Sequence, residues 1–150
     1  SSSMKTLTLI LIAFFSVLTV WSQPVIFKTT AKKIADRTYE VRILATVDES
    51  WHIYSQQTPN GGPKPTNIRF SKNPLLIMQG KVKEEGDMEI YHEEVFGVDV
   101  YAYTGKVEFV QTIKLKSGAK TNVQGSIEYM ACTNQQCLPP ATINFSVTLE

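Results

Sequence analysis

Residues 38–47 read Thr38-Tyr-Glu-Val-Arg-Ile-Leu-Ala-Thr-Val47, and every second residue from Tyr39 onward is apolar. In a β-strand successive side chains point to opposite faces, so residues at this spacing share one face. The shared apolar face consists of Tyr39, Val41, Ile43, Ala45 and Val47. A period of two predicts a strand with one face buried in a core and the other exposed to solvent.

Further strand patterns follow along the chain. Residues 106–116 and 142–149 repeat the alternation, and shorter apolar runs lie between turn-forming residues at 25–27, 68–70, 75–78, 88–91 and 98–103. Many short strands without a long segment of helical period are typical of an all-β antiparallel sandwich. Only residues 34–36 and 84–85 could form a helical turn. We therefore expect one β-sandwich domain over residues 23–150.

The composition is that of a neutral globular domain. Hydrophobic residues make up 43% of the chain, and 15 Lys and Arg against 14 Asp and Glu give a net charge of +1. This hydrophobic fraction supports a single core and argues against disorder. Because there is no broad positive field to attract phosphate groups, the composition also argues against nucleic-acid binding.

The N-terminus has the order of a secretory signal peptide. Met4 and Lys5 precede an apolar run over residues 7–20, and the small residue Ser22 follows it. The run is shorter than the ~20 residues that cross a bilayer, which favours a cleavable signal over a membrane anchor. We interpret residues 1–22 as three added serines, Ser1 to Ser3, followed by this signal. After cleavage we expect a domain without membrane insertion in an oxidising compartment, where disulfides persist.

The two cysteines lie in Cys132-Thr-Asn-Gln-Gln-Cys137-Leu-Pro-Pro140, between strand patterns at 123–131 and 141–149. This position predicts a hairpin loop with a stiff exit, because proline fixes φ and lacks an N–H donor. The alternation of the preceding strand predicts that Cys132 points outward, away from the core side of Ala131. A disulfide in so short a ring restricts the unfolded chain by only ~2 kcal/mol. The pair is either a redox-active dithiol or a structural loop brace, and the spacing leaves both open.

Three segments occur in a characteristic order: Ser50-Trp-His-Ile-Tyr-Ser55, His92-Glu-Glu-Val-Phe-Gly97 and the cysteine segment at 129–140. Together they resemble the N-terminal periplasmic domain of the thiol:disulfide interchange protein DsbD. The resemblance implies an immunoglobulin-like antiparallel β-sandwich with an active-site hairpin and a cap loop. It also implies a periplasmic thiol-disulfide oxidoreductase that relays reducing equivalents between thioredoxin-like proteins by transient mixed disulfides. We expect the domain to be a monomer. No cofactor beyond the redox-active disulfide is implied.

The resemblance assigns roles residue by residue. Cys132 and Cys137 match the catalytic pair, and Cys137 matches the sulfur that forms the mixed disulfide with a partner. Phe96 matches the aromatic residue that covers the disulfide, and Glu94 matches an acidic residue beside it. The remaining candidates for the cap and its environment are Glu93, His92, Tyr129 and Pro139.

The sequence departs from the family pattern around the cysteines. Four residues separate them, one fewer than in the best-known member, and Leu138 stands where an aromatic residue is usual. The acidic run of the cap is reduced to Glu93-Glu94. The membrane domain and the C-terminal thioredoxin-like domain of full-length members do not follow, so we expect either a stand-alone relay or a piece of a longer protein.

The residues between the cysteines predict a weak nucleophile. All four are neutral, and an acidic cap would repel a thiolate, so we expect the attacking thiolate to come from the partner and Cys132 to be the leaving group. The alternative function is an exported sandwich that binds a ligand and uses the disulfide as a loop brace. No metal site is expected, because the hairpin contains no histidine and the chain lacks zinc-binding spacings.

Overall fold

The computed structural model describes residues 23–150, and the predicted signal peptide over residues 1–22 lies outside them. The described part of the chain forms eleven β-strands. Their bounds are β1 (Val25–Ala35), β2 (Thr38–Val47), β3 (His52–Tyr54), β4 (Asn67–Phe70), β5 (Leu76–Gly86), β6 (Glu89–Glu93), β7 (Val98–Tyr103), β8 (Lys106–Leu115), β9 (Thr121–Tyr129), β10 (Ala131–Cys132) and β11 (Ala141–Leu149). Within residues 23–150 there is no helix of the length and hydropathy needed to cross a membrane.

The strands pair antiparallel and build three sheets. The first sheet has the order β1-β2-β8-β5, the second β10-β3-β7-β6 and the third β11-β9-β4. One core cluster joins all three, with Ile43 and Phe109 from the first sheet, Ile53 from the second, and Ile127 and Phe145 from the third. The first sheet therefore packs face to face against the other two, and the predicted antiparallel sandwich is confirmed.

The alternating apolar side chains of β2 and β8 point into the main core, as predicted. The five residues of the apolar face of β2 are at most 5% exposed. One core-facing position of β8 is polar: Gln111 is 4% exposed and donates hydrogen bonds to the carbonyl oxygens of Gln79 and Gly80 at 3.2 and 3.3 Å. The register of β5 shifts between Gln79 and Lys83, so this amide donates to carbonyl groups at the start of the bulge.

The two segments that could have formed helical turns lie within or at the end of strands. Ala35 pairs with Thr38 at the end of β1, and Glu84 pairs with Phe109 within β5. The helix preference of alanine and glutamate is worth only a few tenths of a kcal/mol per residue, so the pairing of these strands with their neighbours outweighs it.

A carboxylate on β5 fixes the end of β3. Glu84 accepts hydrogen bonds from the Ser55 hydroxyl at 2.6 Å, from the Tyr103 hydroxyl at 2.7 Å, and from the backbone N–H and the side-chain amide of Gln56 at 2.8 and 3.0 Å. Burial, together with the hydrogen bond to Glu84, raises the pKa of Tyr103. These contacts hold the chain that leaves β3, the strand that lies beside the cysteines.

Candidate functional site: a half-buried disulfide above a polar cluster

The two cysteines lie in the loop of a hairpin, as predicted. β9 pairs with β11 so that Tyr129 lies opposite Ala141, and residues 130–140 connect them. Within this connection β10 pairs with β3, and Cys132 lies opposite His52. Cys132 and Cys137 form a disulfide with their Cα atoms 4.0 Å apart.

Backbone hydrogen bonds on both sides of the disulfide close the turn. The Thr133 N–H donates to the Gln136 carbonyl at 2.7 Å, and the Leu138 N–H donates to the Ala131 carbonyl at 2.9 Å. The Thr133 hydroxyl oxygen also accepts from two N–H groups of the turn, each at 3.2 Å. The cysteines between these bonds face each other as a non-hydrogen-bonded pair, the arrangement in which antiparallel side chains lie closest.

The two cysteines differ in exposure. Cys132 is 0% exposed, whereas Cys137 is half-buried. The prediction that Cys132 points out to solvent is therefore wrong. Its side chain does lie on the face opposite Ala131, as the alternation requires, but that face of the second sheet is covered by other side chains. Cys137 is therefore the more accessible of the two cysteines.

The covered side of the second sheet, which we call the outer face, holds its own small apolar cluster. Its buried members are Tyr54, Val100, Ala102 and Cys132, and Tyr91, Val98, Met130 and Cys137 pack against them. The strand register explains this grouping, because residues directly opposite each other in a ladder project to the same face. Tyr54 lies opposite Ala102, and Tyr91 lies opposite Val100.

The outer face also carries a group of buried polar side chains, which we call the polar cluster: His52, Tyr54, Tyr91 and Glu93. The Nε2 atom of His52 lies 2.9 Å from the Tyr54 hydroxyl and 2.7 Å from the Tyr91 hydroxyl. It lies 3.6 Å from Oε2 of Glu93, and both of these side chains are almost fully buried. Oε2 of Glu93 has no hydrogen-bond partner among the described residues.

The electrostatics of the polar cluster follow from burial. Burial lowers the pKa of His52, although the nearby charge of Glu93 opposes this shift. Burial also raises the pKa of both tyrosines, and the charge of Glu93 adds to the effect. The tyrosine hydroxyls are therefore protonated and able to donate, and the imidazole releases a proton readily.

The predicted cap is a turn at the end of β6. The Gly97 N–H donates to the Glu93 carbonyl at 2.7 Å, and Gly97 has a φ of 67°, a conformation that glycine adopts without strain. Phe96 is half-buried and lies beside Gly62 of the 59–63 loop. Val98 is the residue next to this turn that packs against the disulfide cluster. The role of Phe96 as the cover of the disulfide stays a prediction.

The structure separates the remaining candidates. Glu93 is 4% exposed and belongs to the polar cluster, whereas Glu94 is exposed. His92 is exposed and lies with Nδ1 3.1 Å from Oδ1 of Asp99. Tyr129 is buried in the main core, where its ring packs edge-on against another aromatic ring at 4.8 Å, and Pro139 is exposed at the exit of the loop.

Three members of the polar cluster received no chemical role from the sequence. His52 and Tyr54 contributed only to the resemblance, and Tyr91 was part of an apolar run. The available signal was the register: His52 and Tyr54 are two residues apart on one short strand, so they share a face whichever partner that strand takes.

A groove of about 650 Å³ opens beside the cysteine loop. Asn134 at the tip of the loop and Trp51 line it, and so do His52 and Tyr91 of the polar cluster. Its charged lining residues are acidic: Asp48, Glu49 and Glu89. The groove connects the polar cluster to solvent.

Comparisons with known proteins agree with this geometry. The sequence profile of the family described as "Thiol:disulfide interchange protein DsbD, N-terminal" matches residues 19–149. No curated protein sequence matches the chain.

Solved structures with a similar fold include the N-terminal periplasmic domain of ScsB from Proteus mirabilis, with a TM-score of 0.59, 16% identity and coverage of 85% of this chain. The match covers 47% of that chain, so the present chain spans about half its length. The reduced DsbD N-terminal domain of Neisseria meningitidis has a TM-score of 0.50 at 16% identity, over 81% of this chain and 84% of that one. A complex between the DsbD and PilB N-terminal domains of Neisseria meningitidis has a TM-score of 0.49 at 15% identity, over 81% and 80%.

The fold is thus the predicted immunoglobulin-like β-sandwich, and the disulfide of Cys132 and Cys137 fits thiol-disulfide exchange. Because the family profile covers most of the sequence, including the cysteine hairpin, the chain belongs to the family of DsbD N-terminal domains.

Proposed function

We propose that the chain is an exported thiol-disulfide relay that passes reducing equivalents between thioredoxin-like proteins through Cys132 and Cys137. The observation that carries the proposal is the unequal exposure of the two cysteines within a turn closed by its own hydrogen bonds. Because the flanking bonds do not involve sulfur, the S–S bond can open while the strand pairing of β9 with β11 remains.

The unequal exposure of the two cysteines determines which sulfur is attacked. A partner thiolate attacks the half-buried Cys137, the S–S bond breaks, and its electron pair goes to the sulfur of Cys132. A second thiol of this partner then attacks the partner's own sulfur in the mixed disulfide and releases Cys137, so the partner leaves as a disulfide and the chain keeps two thiols. In the other half of the relay, the Cys137 thiolate attacks the disulfide of a second partner, and Cys132 resolves this mixed disulfide. The intramolecular disulfide is restored, and the second partner leaves as a dithiol.

The cap belongs to the same proposal. Phe96 and the acidic residues at 93–94 would limit access to the disulfide until a partner displaces the turn, and the exposed side chains of His92 and Pro139 would border the docking surface. The chain would act in the periplasm as a monomer, with no cofactor beyond its disulfide. Support comes from the family match and from the position of the turn beside the outer face of the second sheet.

Trapping the mixed disulfide tests this function. Cys132→Ala removes the resolving thiol, so a covalent complex between Cys137 and a thioredoxin-like protein should accumulate in the exporting cell. Cys137→Ala is the matched control and should give no complex, because the remaining thiol is buried. If neither variant forms a complex, and if the wild-type disulfide resists a thioredoxin-like reductant until the protein unfolds, the disulfide is a loop brace.

A further inference from the structure

We propose that the groove beside the cysteine loop receives a cationic side chain, an arginine or a lysine, from the protein that exchanges a disulfide with Cys137. The inference rests on the proposed exchange function and adds the chemistry of the partner surface that docks next to the reacting sulfur. It starts from the position of the groove, the charges and rings that line it, and an unpartnered carboxyl oxygen beside its wall.

The groove lies next to the reacting bond. Asn134, exposed at the tip of the turn between the two cysteines, lines it, and so does His52, which lies opposite Cys132 in the ladder of β10 and β3. Asn134 precedes Cys137 by three residues. Three residues span at most about 10 Å, so a protein that brings a thiolate to Cys137 docks over or beside the groove.

Carboxylates from two walls set the sign of the groove. Asp48 and Glu49 lie in the turn between β2 and β3, and Glu89 begins β6. All three are exposed, and none of them forms an ion pair within residues 23–150. The described lining contains no lysine or arginine, and burial lowers the pKa of His52, so the imidazole does not offset the negative charge. A cleft lined by one sign of charge concentrates ligands of the opposite sign.

Aromatic rings complete a lining that suits a cation. Trp51 lines the groove and also packs against the main core, which holds its ring in place. Tyr91 lines it from β6, and its hydroxyl lies 2.7 Å from Nε2 of His52. Cations bind to aromatic rings, tryptophan above all, and the apolar stem of an arginine or lysine covers apolar surface while its charged end reaches a carboxylate.

A second observation, independent of the surface charges, points to a donor in the groove. His52 lines the groove, and its Nε2 lies 3.6 Å from Oε2 of Glu93, whose side chain is 5% exposed. This oxygen has no hydrogen-bond partner among the described residues. Buried polar atoms are normally paired, so an unpaired acceptor beside the wall favours a ligand that carries N–H donors over one that carries acceptors. The preference agrees with the sign of the lining charges.

Backbone hydrogen bonds hold the walls in place before a partner arrives. The Val47 N–H donates to the Gly105 carbonyl at 2.7 Å, and the Trp51 N–H donates to the Asp48 carbonyl at 3.1 Å. These bonds join the turn that carries Asp48 and Glu49 to the turn that precedes β8. A site that is already ordered loses less conformational entropy on binding, so a single side chain can contribute to docking.

Short peptide thiols test the groove without a protein partner. The probes are acetyl-Arg-(Gly)n-Cys-amides with about one to four glycines, and the matched neutral probes carry citrulline in place of arginine. A peptide thiolate attacks Cys137, the electron pair of the S–S bond goes to Cys132, and a second peptide thiolate releases Cys137, so the peptide leaves as a disulfide. Each rate of loss of the oxidised chain is divided by the peptide thiolate concentration, because a nearby positive charge lowers the pKa of a thiol. At the best spacing the arginine probe should react about ten-fold faster than the citrulline probe at low salt, and about 0.5 M NaCl should reduce this advantage to about two-fold or less.

Variants at exposed positions locate the effect in the groove. Glu49→Gln and Glu89→Gln together remove one carboxylate from each wall and should reduce the advantage of arginine to about two-fold or less at low salt, with the citrulline rate unchanged. Asp36→Asn is the matched control, because Asp36 is exposed in the turn at the other end of β2, about 30 Å from the groove and beyond the range of screened charges. This variant should keep the full advantage.

Two results would overturn the cation site. One is an arginine probe that reacts with the wild type no faster than its citrulline match at any spacing, and the other is an advantage that the double variant retains in full. Failure of both probes to react before the protein unfolds would instead overturn the exchange function. The failures are distinguishable, because the citrulline probe needs the redox-active disulfide but not the groove charges.

Discussion

Gly62 of the 59–63 loop lies against the cap turn, and Gly62→Ala should loosen the cap. A Cβ atom at this position would lie 2.5 Å from Cγ2 of Val98 and 3.6 Å from Cβ of Phe96. Since carbon atoms pack at about 3.5–4.0 Å, the loop and the cap must separate by roughly 1 Å. Valine is β-branched and stiff, so its side chain cannot simply rotate away. Overpacking of this kind costs about 1–3 kcal/mol.

The consequence for the disulfide follows from the position of Val98. Val98 packs against the cluster that contains Cys132, so its displacement should expose the disulfide. A loss of 1–3 kcal/mol lowers Tm by roughly 2–12 °C for a domain of this size. If reduction requires the cap to open, the rate with dithiothreitol should rise by up to about ten-fold for each 1.4 kcal/mol.

Gly118→Ala is the matched control for this prediction, because a Cβ atom there meets nothing within 4 Å. Thermal unfolding by circular dichroism and the reduction rate at pH 8 are measured for both variants. We expect Gly118→Ala to behave as the wild type. A Gly62→Ala protein with the Tm and the reduction rate of the control would refute the reasoning, since the 59–63 loop would then not hold the cap.

Three further predictions concern stability. Glu84→Ala removes the acceptor of four hydrogen bonds and should lower the free energy of unfolding by about 3 kcal/mol or more in urea titrations. Glu85→Ala, at the neighbouring exposed position, is the control and should lower it by less than about 1 kcal/mol. Equal losses would contradict the role of Glu84 in holding the end of β3. Burial lowers the pKa of His52 against the opposing charge of Glu93, so the unfolded chain binds more protons below its usual pKa of about 6.5, and stability should fall as pH drops from 7 to 5. His52→Gln should reduce this slope, and an unchanged slope would mean that other groups cause it. Gly125→Ala would place a Cβ atom against the backbone carbonyl oxygen of Arg69 and 2.6 Å from Cζ of Phe145, so it should destabilise the protein by about 3 kcal/mol or more. A free energy of unfolding equal to that of the wild type would show that the third sheet accommodates the added methyl group.

The part of the fold that follows local alternation could be predicted from the sequence. The apolar face of β2 required only the period of two, because the identity of the neighbouring strand does not change which side chains share a face. The burial of Cys132 could not be predicted in this way. Alternation places the side chain of Cys132 on the other face of the strand from Ala131. Whether that face meets solvent depends on the pairing of β10 with β3, which joins residues far apart in sequence.

The polar cluster was hidden from the sequence for the same reason. His52 and Glu93 come from strands that are not neighbours in their sheet, since β7 lies between β3 and β6. On the intervening strand Tyr54 lies opposite Ala102, whereas Tyr91 lies opposite Val100, so the cluster joins positions that are offset along the sheet. Nothing in the local sequence says that the three strands lie side by side.

Burial of only one sulfur favours exchange with a docked protein over reaction with small thiols. A buried leaving group disfavours the thiolate form, which slows every attack on Cys137 unless a proton arrives as the S–S bond breaks. A protein that docks over the groove next to Asn134 overcomes this barrier, because the free energy of docking offsets the cost of the buried thiolate at Cys132. Reduction by a thioredoxin-like protein should therefore be faster than reduction by dithiothreitol when each rate is divided by the thiolate concentration. Equal corrected rates in stopped-flow measurements would contradict this argument.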